Sequence, residues 1–370
     1  MADIGLCIRN HAARGENKEC RSRVEPQTNV HPIHSAYGMG SAILGTMMKA
    51  KESCRKDDRH DFINHSTYVA ELRLFLPEDA FKPDPQSLFI ALIHLGIIAG
   101  CLMLGIHTNA LFVNLVLGTI AGHSLVCLSF YAHYLSHNVV VRSPGIRYGL
   151  ELFFWGINGM PTTIWRQLHN KTHHPQPNTS LDPDRRFLEP ERNIFTRLFT
   201  FIFHPNKEVP NWNPLVGLHL IAYIIKNTMA ALYYPGKSKP DIVPNKPQYT
   251  KSQRVLVAFE VMVIYLIQYG YYVVLDYDLV KYICFGPYAL LVASISAIAY
   301  ILTNHFPNEV HGHTDMLKAS TSVIIAPIFD HLHLNFSYHS EHHLFPSIRA
   351  DSTYKCKTEA VHHFFGRSIF

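Results

Sequence analysis

The stretch "ALFVNLVLGTIAGHSLVCLSFYAHYLSH", residues 110–137, decides the fold. It carries no Asp, Glu, Lys or Arg, and it ends in two histidines four positions apart. About 20 apolar residues of helix cross a hydrocarbon core. The part from about 110 to 132 therefore reads as a membrane span, and His133 and His137 stand where the chain leaves it.

Outward from this stretch, three more windows reach spanning length, at about 88–106, 255–275 and 282–303. Glu260 is the single charge among them, near enough to one end to be expected at an interface. A fifth apolar segment, 215–234, carries Lys226 near its middle. A lysine at the centre of a span costs about 2.5–3.5 kcal/mol on insertion scales, so this segment is expected to lie in the interface.

The composition agrees with a membrane protein: 48% of the 370 residues are hydrophobic and only 16% are charged. Residues 1–60 read as a poorly ordered cytosolic tail, basic in patches such as "RSR" at 21–23, and residues 61–370 as the membrane domain. No signal peptide is expected at the start. The positive-inside rule keeps the basic arm cytoplasmic, so whatever follows the second span is expected to face the cytoplasm too. The seven cysteines never form CxxC and imply neither a disulfide framework nor a thiolate metal site. No basic cluster resembles a nucleic-acid motif.

The histidines fall in three boxes. These are "HYLSH" with His133 and His137, "HNKTHH" with His169, His173 and His174, and "HSEHH" with His339, His342 and His343. Residues three or four apart share one helix face. His133 with His137, His169 with His173, and His339 with His342 and His343 are thus expected to grip one ion each, and His174, further round its helix, to serve another. Imidazoles without cysteine suit zinc, copper, nickel or iron rather than magnesium or calcium. Eight exceed the needs of one ion, which implies two.

Boxes that share a site must lie on one side of the membrane. Two spans separate the second box from the third, which returns the chain to the same side, whereas a crossing at 215–234 would part them. The histidines of "HPIH" (31–34), "HDFINH" (60–65), "HLH" (331–333) and "VHH" (361–363) read as ordinary polar residues.

The strings "HYLSHN", "WRQLHNKTHHPQPNTSLDPDR" and "YHSEHHLFPSI" resemble the membrane fatty acid desaturases, histidine-box enzymes with a di-iron centre. The resemblance covers about two thirds of the chain. It implies an all-α polytopic membrane protein of about four spans, with a cytosolic helical cap holding two irons above an acyl tunnel. It also implies the eight box histidines as iron ligands, with no catalytic side chain beyond them. A ninth ligand is expected after the fourth span, where His305 is favoured over His311 and His313. Asn178, Asp182, Asp184 and Glu341 stand near enough to orient ligands, although helix-cap or surface duty explains them equally well.

The activity so implied is oxygen-dependent desaturation of an acyl chain, of acyl-lipid type. Electrons would come from an external ferredoxin or cytochrome, because "HPIHSAYGMG" departs from a fused haem motif. The membrane would be a bacterial inner membrane or the endoplasmic reticulum. Lipid hydroxylation or ketolation by the same kind of site is the alternative. Metal transport is a remote one, since a transporter's ligands would line a path within the spans.

Overall fold

A computed structural model describes residues 65–179, 182–183, 216–233, 249–305 and 319–356. The expected tail, His311, His313, Asp184 and the histidines at 31, 34, 60, 362 and 363 lie outside the described residues. Among the described residues every regular element is a helix.

Among the described residues four helices are long and apolar enough to cross a membrane: α2 (Ser87–Ile106), α3 (Leu111–Ser136), α7 (Lys251–Val274) and α8 (Leu279–His305). The remaining α-helices among the described residues are α1 (His65–Phe75), α4 (Pro144–Ile157), α5 (Thr162–Trp165), α6 (Val216–Tyr233), α9 (Pro327–Leu332) and α10 (His339–Leu344). Large side chains such as Phe89, Leu104, Phe112, Met262 and Leu266 point outward from the four long helices. Such a surface is stable against lipid and costly against water.

The helix boundaries follow local chemistry. Thr250 and Gln253 close a reciprocal capping box at the start of α7. Asp278 accepts from the Val280 and Lys281 amides at the start of α8. Lys281 is folded back inside that first turn, where its Nζ donates to the Ile106 carbonyl at 2.8 Å and satisfies the end of α2. In α8 the turn Cys284–Tyr288 widens into a π-helix around Pro287, which accommodates a residue unable to donate within the ladder.

At the centre, α3 packs on α8 with small residues between them. A Cβ on Gly118 would stand 2.4 Å from the Cys284 carbonyl oxygen, and one on Gly122 would stand 2.5 Å from that of Ala289. This is a small-xxx-small contact that lets two backbones approach where lipid supplies no hydrophobic drive.

Glu260 differs from expectation. It is fully buried, accepting from the Thr163 amide at 2.9 Å, the Thr163 hydroxyl at 2.8 Å and the Tyr148 hydroxyl at 3.0 Å. Hydrogen bonding to α4 and α5 replaces the interface that sequence position alone suggested. Segment 215–234 forms α6, which is shorter than the four long helices and packs against α8 through Leu220 and Tyr223, on Ile298 and Leu302.

Candidate metal centre

The first box closes α3. His133 and His137 lie one turn apart, and Asn138 (φ 64°) then ends the helix in the left-handed region that asparagine tolerates. Ser136 between them anchors the second box: Trp165 Nε1 donates to its hydroxyl at 3.3 Å, and Asn170 Nδ2 donates to its carbonyl at 2.9 Å. Trp165 in turn stacks on the His169 ring, with centroids 4.3 Å apart and planes 18° from parallel, so it fixes the orientation of that imidazole.

The second box is not α-helical. Residues Arg166–His173 form a π-helix, and the His174 amide donates to the His169 carbonyl at 3.0 Å, five residues back. The wider turn brings His169 and His174 together and rotates His173 away from them. The expected pairing of His169 with His173 is thereby corrected. His169 groups with His133, His137, His174 and His342, whereas His173 groups with His305, His339 and His343. The third box divides likewise, because α10 lasts six residues and presents His339 and His343 to one group and His342 to the other.

Within each group the nitrogens lie within 4.8 Å of one another. His133 Nε2 stands 2.8 Å from His169 Nε2, and His174 Nε2 stands 3.1 Å from His169 Nε2 and 3.2 Å from His342 Nε2. In the second group His305 Nε2 is 2.8 Å from His339 Nε2, and His343 Nε2 lies 3.1 Å from His339 and 3.2 Å from His173. All nine side chains are buried. Buried nitrogens that converge this closely from three helices and a π-turn form a donor set for cations.

The electrostatics keep six of these rings neutral. Burial and the neighbouring imidazoles push His169, His174, His339, His342 and His343 well below the usual histidine range, and His137 down to about 3. A neutral ring carries the lone pair a metal needs.

Two rings are further oriented through Nδ1. His173 Nδ1 donates to Asp182 at 2.8 Å, and Asp182 also accepts from the Asn178 amide at 2.6 Å. Burial raises the Asp182 carboxyl, but His173 and the hydrogen bonds outweigh it and leave its pKa below the usual value. His305 Nδ1 lies 3.2 Å from the Ala319 carbonyl. Glu341 takes no part in the nitrogen clusters; it accepts from the Ser322 hydroxyl and ties α10 to the preceding loop.

Beneath the histidines opens an apolar cavity between α3, α4, α6 and α8, lined among others by Phe130, Trp155, Met160, Ile224, Leu290 and Ala297. His133, His169, His173, His305 and His339 form its polar end. Beside them the fully buried Asn304 lines the same cavity, and its amide has no hydrogen-bond partner among the described residues.

The structure thus brings together all eight box histidines and His305. Sequence reasoning weighed Asp182 as an orienting residue without choosing it, and it missed Asn304. An asparagine adjoining a candidate ligand at the end of a span was the available signal. It also read His333 as an ordinary polar residue, and the structure places it against His123 and Cys127.

A family model described as fatty acid desaturase matches residues 109–357. No curated protein matches the chain.

Proposed function

The chain belongs to the fatty acid desaturase family, and from that premise we propose that it is an oxygen-dependent di-iron desaturase acting on the acyl chain of a membrane lipid. The observation that carries this reading is the division of nine buried histidines into groups of five and four at the end of one apolar cavity. All-imidazole donor sets fit late first-row ions, iron among them. His133, His137, His169, His174 and His342 would hold one ion, and His173, His305, His339 and His343 the other. When bound, iron supplies the oxidising power by which dioxygen removes two hydrogens from adjacent carbons.

The protein contributes position and exclusion. The cavity walls accept a methylene chain and keep water from it, while Asn304 offers a donor and an acceptor at the reactive end. Trp165 and Asp182 hold His169 and His173 in fixed orientations. The balance is one saturated acyl chain, one dioxygen, two electrons and two protons giving one double bond and two waters. The electrons come from an external ferredoxin or cytochrome.

The cytoplasmic side for the site is supported by charge. Arg142, Arg147, Arg166, Lys171, Lys251 and Arg254 lie near the histidine end of the bundle, whereas at the other end the turn His107–Ala110 carries no Lys or Arg and, among the described residues, Lys281 alone stands beside it. This asymmetry is what the positive-inside rule requires. The C-terminal ends of α3 and α8 meet at the histidines, which also agrees with two crossings between the boxes. With that parity α6 stays on the histidine side, in the interface.

The test is expression in cells whose lipids are defined, with purification of the protein. Iron at about two per chain and a lipid acyl product two hydrogens lighter are expected. A product heavier by one oxygen establishes the hydroxylase alternative, and an unchanged lipid profile with a fully iron-loaded protein overturns the acyl-lipid reading.

A further inference from the structure

A second convergence of metal-binding side chains lies outside the nine histidines. His123 and Cys127 occupy successive turns of α3, and His333 follows α9. Their ligand atoms lie within 4.8 Å of one another. His123 is about 15 Å along the helix from His133, at 1.5 Å of rise per residue, so the cluster is distinct from the centre described above.

His123 Nε2 and His333 Nε2 face each other at 3.2 Å, the same nitrogen-to-nitrogen approach seen within the two histidine groups. Cys127 is 1% exposed, and its Sγ lies 3.9 Å from Nδ1, the other ring nitrogen of His123; with one nitrogen taken from each ring, the three ligand atoms still lie within 4.8 Å of one another. The Tyr300 hydroxyl sits 2.5 Å from His333 Nδ1, where it fixes the ring with Nε2 toward the cluster. The turn that delivers His333 is held firmly. His94 Nε2 lies 3.2 Å from the Leu332 carbonyl, the Asn335 amide donates to the Asp330 carbonyl at 2.7 Å, and Ser337 donates to the Asp330 carboxylate.

We propose that His123, Cys127 and His333 form a third metal site, which takes a copper(I) ion, with Tyr300 as the positioning residue for His333. The ion follows from ligand softness and charge. One thiolate with two imidazoles is a soft, three-ligand set that suits copper(I) or zinc. Zinc(II) prefers four ligands. One thiolate cancels the single charge of copper(I) but leaves zinc(II) with a net positive charge among spanning helices, where an uncompensated charge is costly. On binding, the Cys127 S–H proton leaves to solvent as the Cu–S bond forms, and no electron is transferred. This revises the expectation that no cysteine serves a metal. A metal-free chain of hydrogen bonds through the same four side chains is the rival arrangement, and it retains no copper.

The experiment is anaerobic titration of the purified, iron-loaded full chain with chelator-buffered copper(I), followed by metal analysis and copper X-ray absorption. Wild type is expected to retain about one copper per chain with iron unchanged and to show one copper–sulfur distance. Cys127→Ser and His333→Gln are each expected to retain less than a tenth as much copper while keeping their iron, which also reports that they have folded. Tyr300→Phe, which leaves all three ligands, is expected to weaken retention without removing the copper–sulfur distance. The proposal is overturned by wild type that retains no copper, by Cys127→Ser that binds it equally, by copper that displaces iron, or by equimolar zinc that displaces the copper. Loss of iron from both ligand variants overturns the separation of the two sites.

Discussion

Asp182 provides the sharpest test of the two-group division, because it touches a histidine of one group only. Its carboxylate is 1% exposed and accepts from His173 Nδ1 at 2.8 Å and from the Asn178 amide at 2.6 Å. In Asp182→Asn the side-chain oxygen still accepts one hydrogen bond, but the negative charge is gone. A hydrogen bond to a charged group contributes about 1.5–3 kcal/mol and a neutral one about 0.5–1.5. The difference, about 1–2 kcal/mol, is roughly a five- to thirtyfold loss of affinity. That overlaps the lower part of the range of about 10–100-fold found when the partner of a ligand histidine is removed. The loss belongs to the ion of His173, His305, His339 and His343. The assay is chelator challenge of iron-loaded protein, with iron per chain followed over chelator concentration. Wild type should lose its two irons together, whereas the variant should show two separated steps, the first shifted to about tenfold lower chelator. A variant whose two irons leave together at the wild-type concentration, or together at a lower one, would refute the assignment of His173 to a group apart from His169.

Three further outcomes check other parts of the structure. Ala297→Trp fills the cavity between α6 and α8 without touching a histidine; desaturase activity should fall at least tenfold, or shift to shorter chains, with iron content unchanged, and full activity on long chains would exclude this cavity as the acyl path. Gly118→Val drives a side chain into the Cys284 carbonyl and should destabilise the protein by about 1–3 kcal/mol, read as a lower melting temperature in detergent; an unchanged melt would show that α3 and α8 do not approach as described. In metal-free protein His137 has its pKa held at about 3 by burial and by His173, below the usual value of about 6.5. The folded state then binds fewer protons than the unfolded one, so the melting temperature should hold above about pH 6.5 and fall as the pH drops toward 3. A melt that does not change across that window would mean the cluster is open to water.

Much of this arrangement was legible because its determinants are periodic or local. The spans expected at about 88–106 and 255–275 follow from apolar length, broken only by Glu260, and the helices observed at 87–106 and 251–274 match them; the cap at Thr250, which starts the second four residues earlier, was not read from the sequence. The convergence of three distant boxes was compatible with parity, since two crossings return a chain to its starting side. The pairing of histidines was not legible, because spacing rules presuppose 3.6 residues per turn. The Arg166–His173 segment abandons that geometry, and its contacts are tertiary: Trp165, just before it, and Asn170, at its middle, are both held to Ser136 at the end of α3.

Buried polar residues of the spans were hidden for a related reason. Hydropathy treats His123, Cys127 and Asn304 as minor interruptions of an apolar run, and only the packing of α3, α8 and the turn after α9 shows what they face. Glu260 belongs to the same class: its burial is tolerable only because Thr163 and Tyr148, from two other helices, supply three hydrogen bonds. In each case the polar residue inside a span marks a place where helices meet rather than a place where one helix ends. Apolar length therefore locates the helices of this chain, and the residues that violate it locate their contacts.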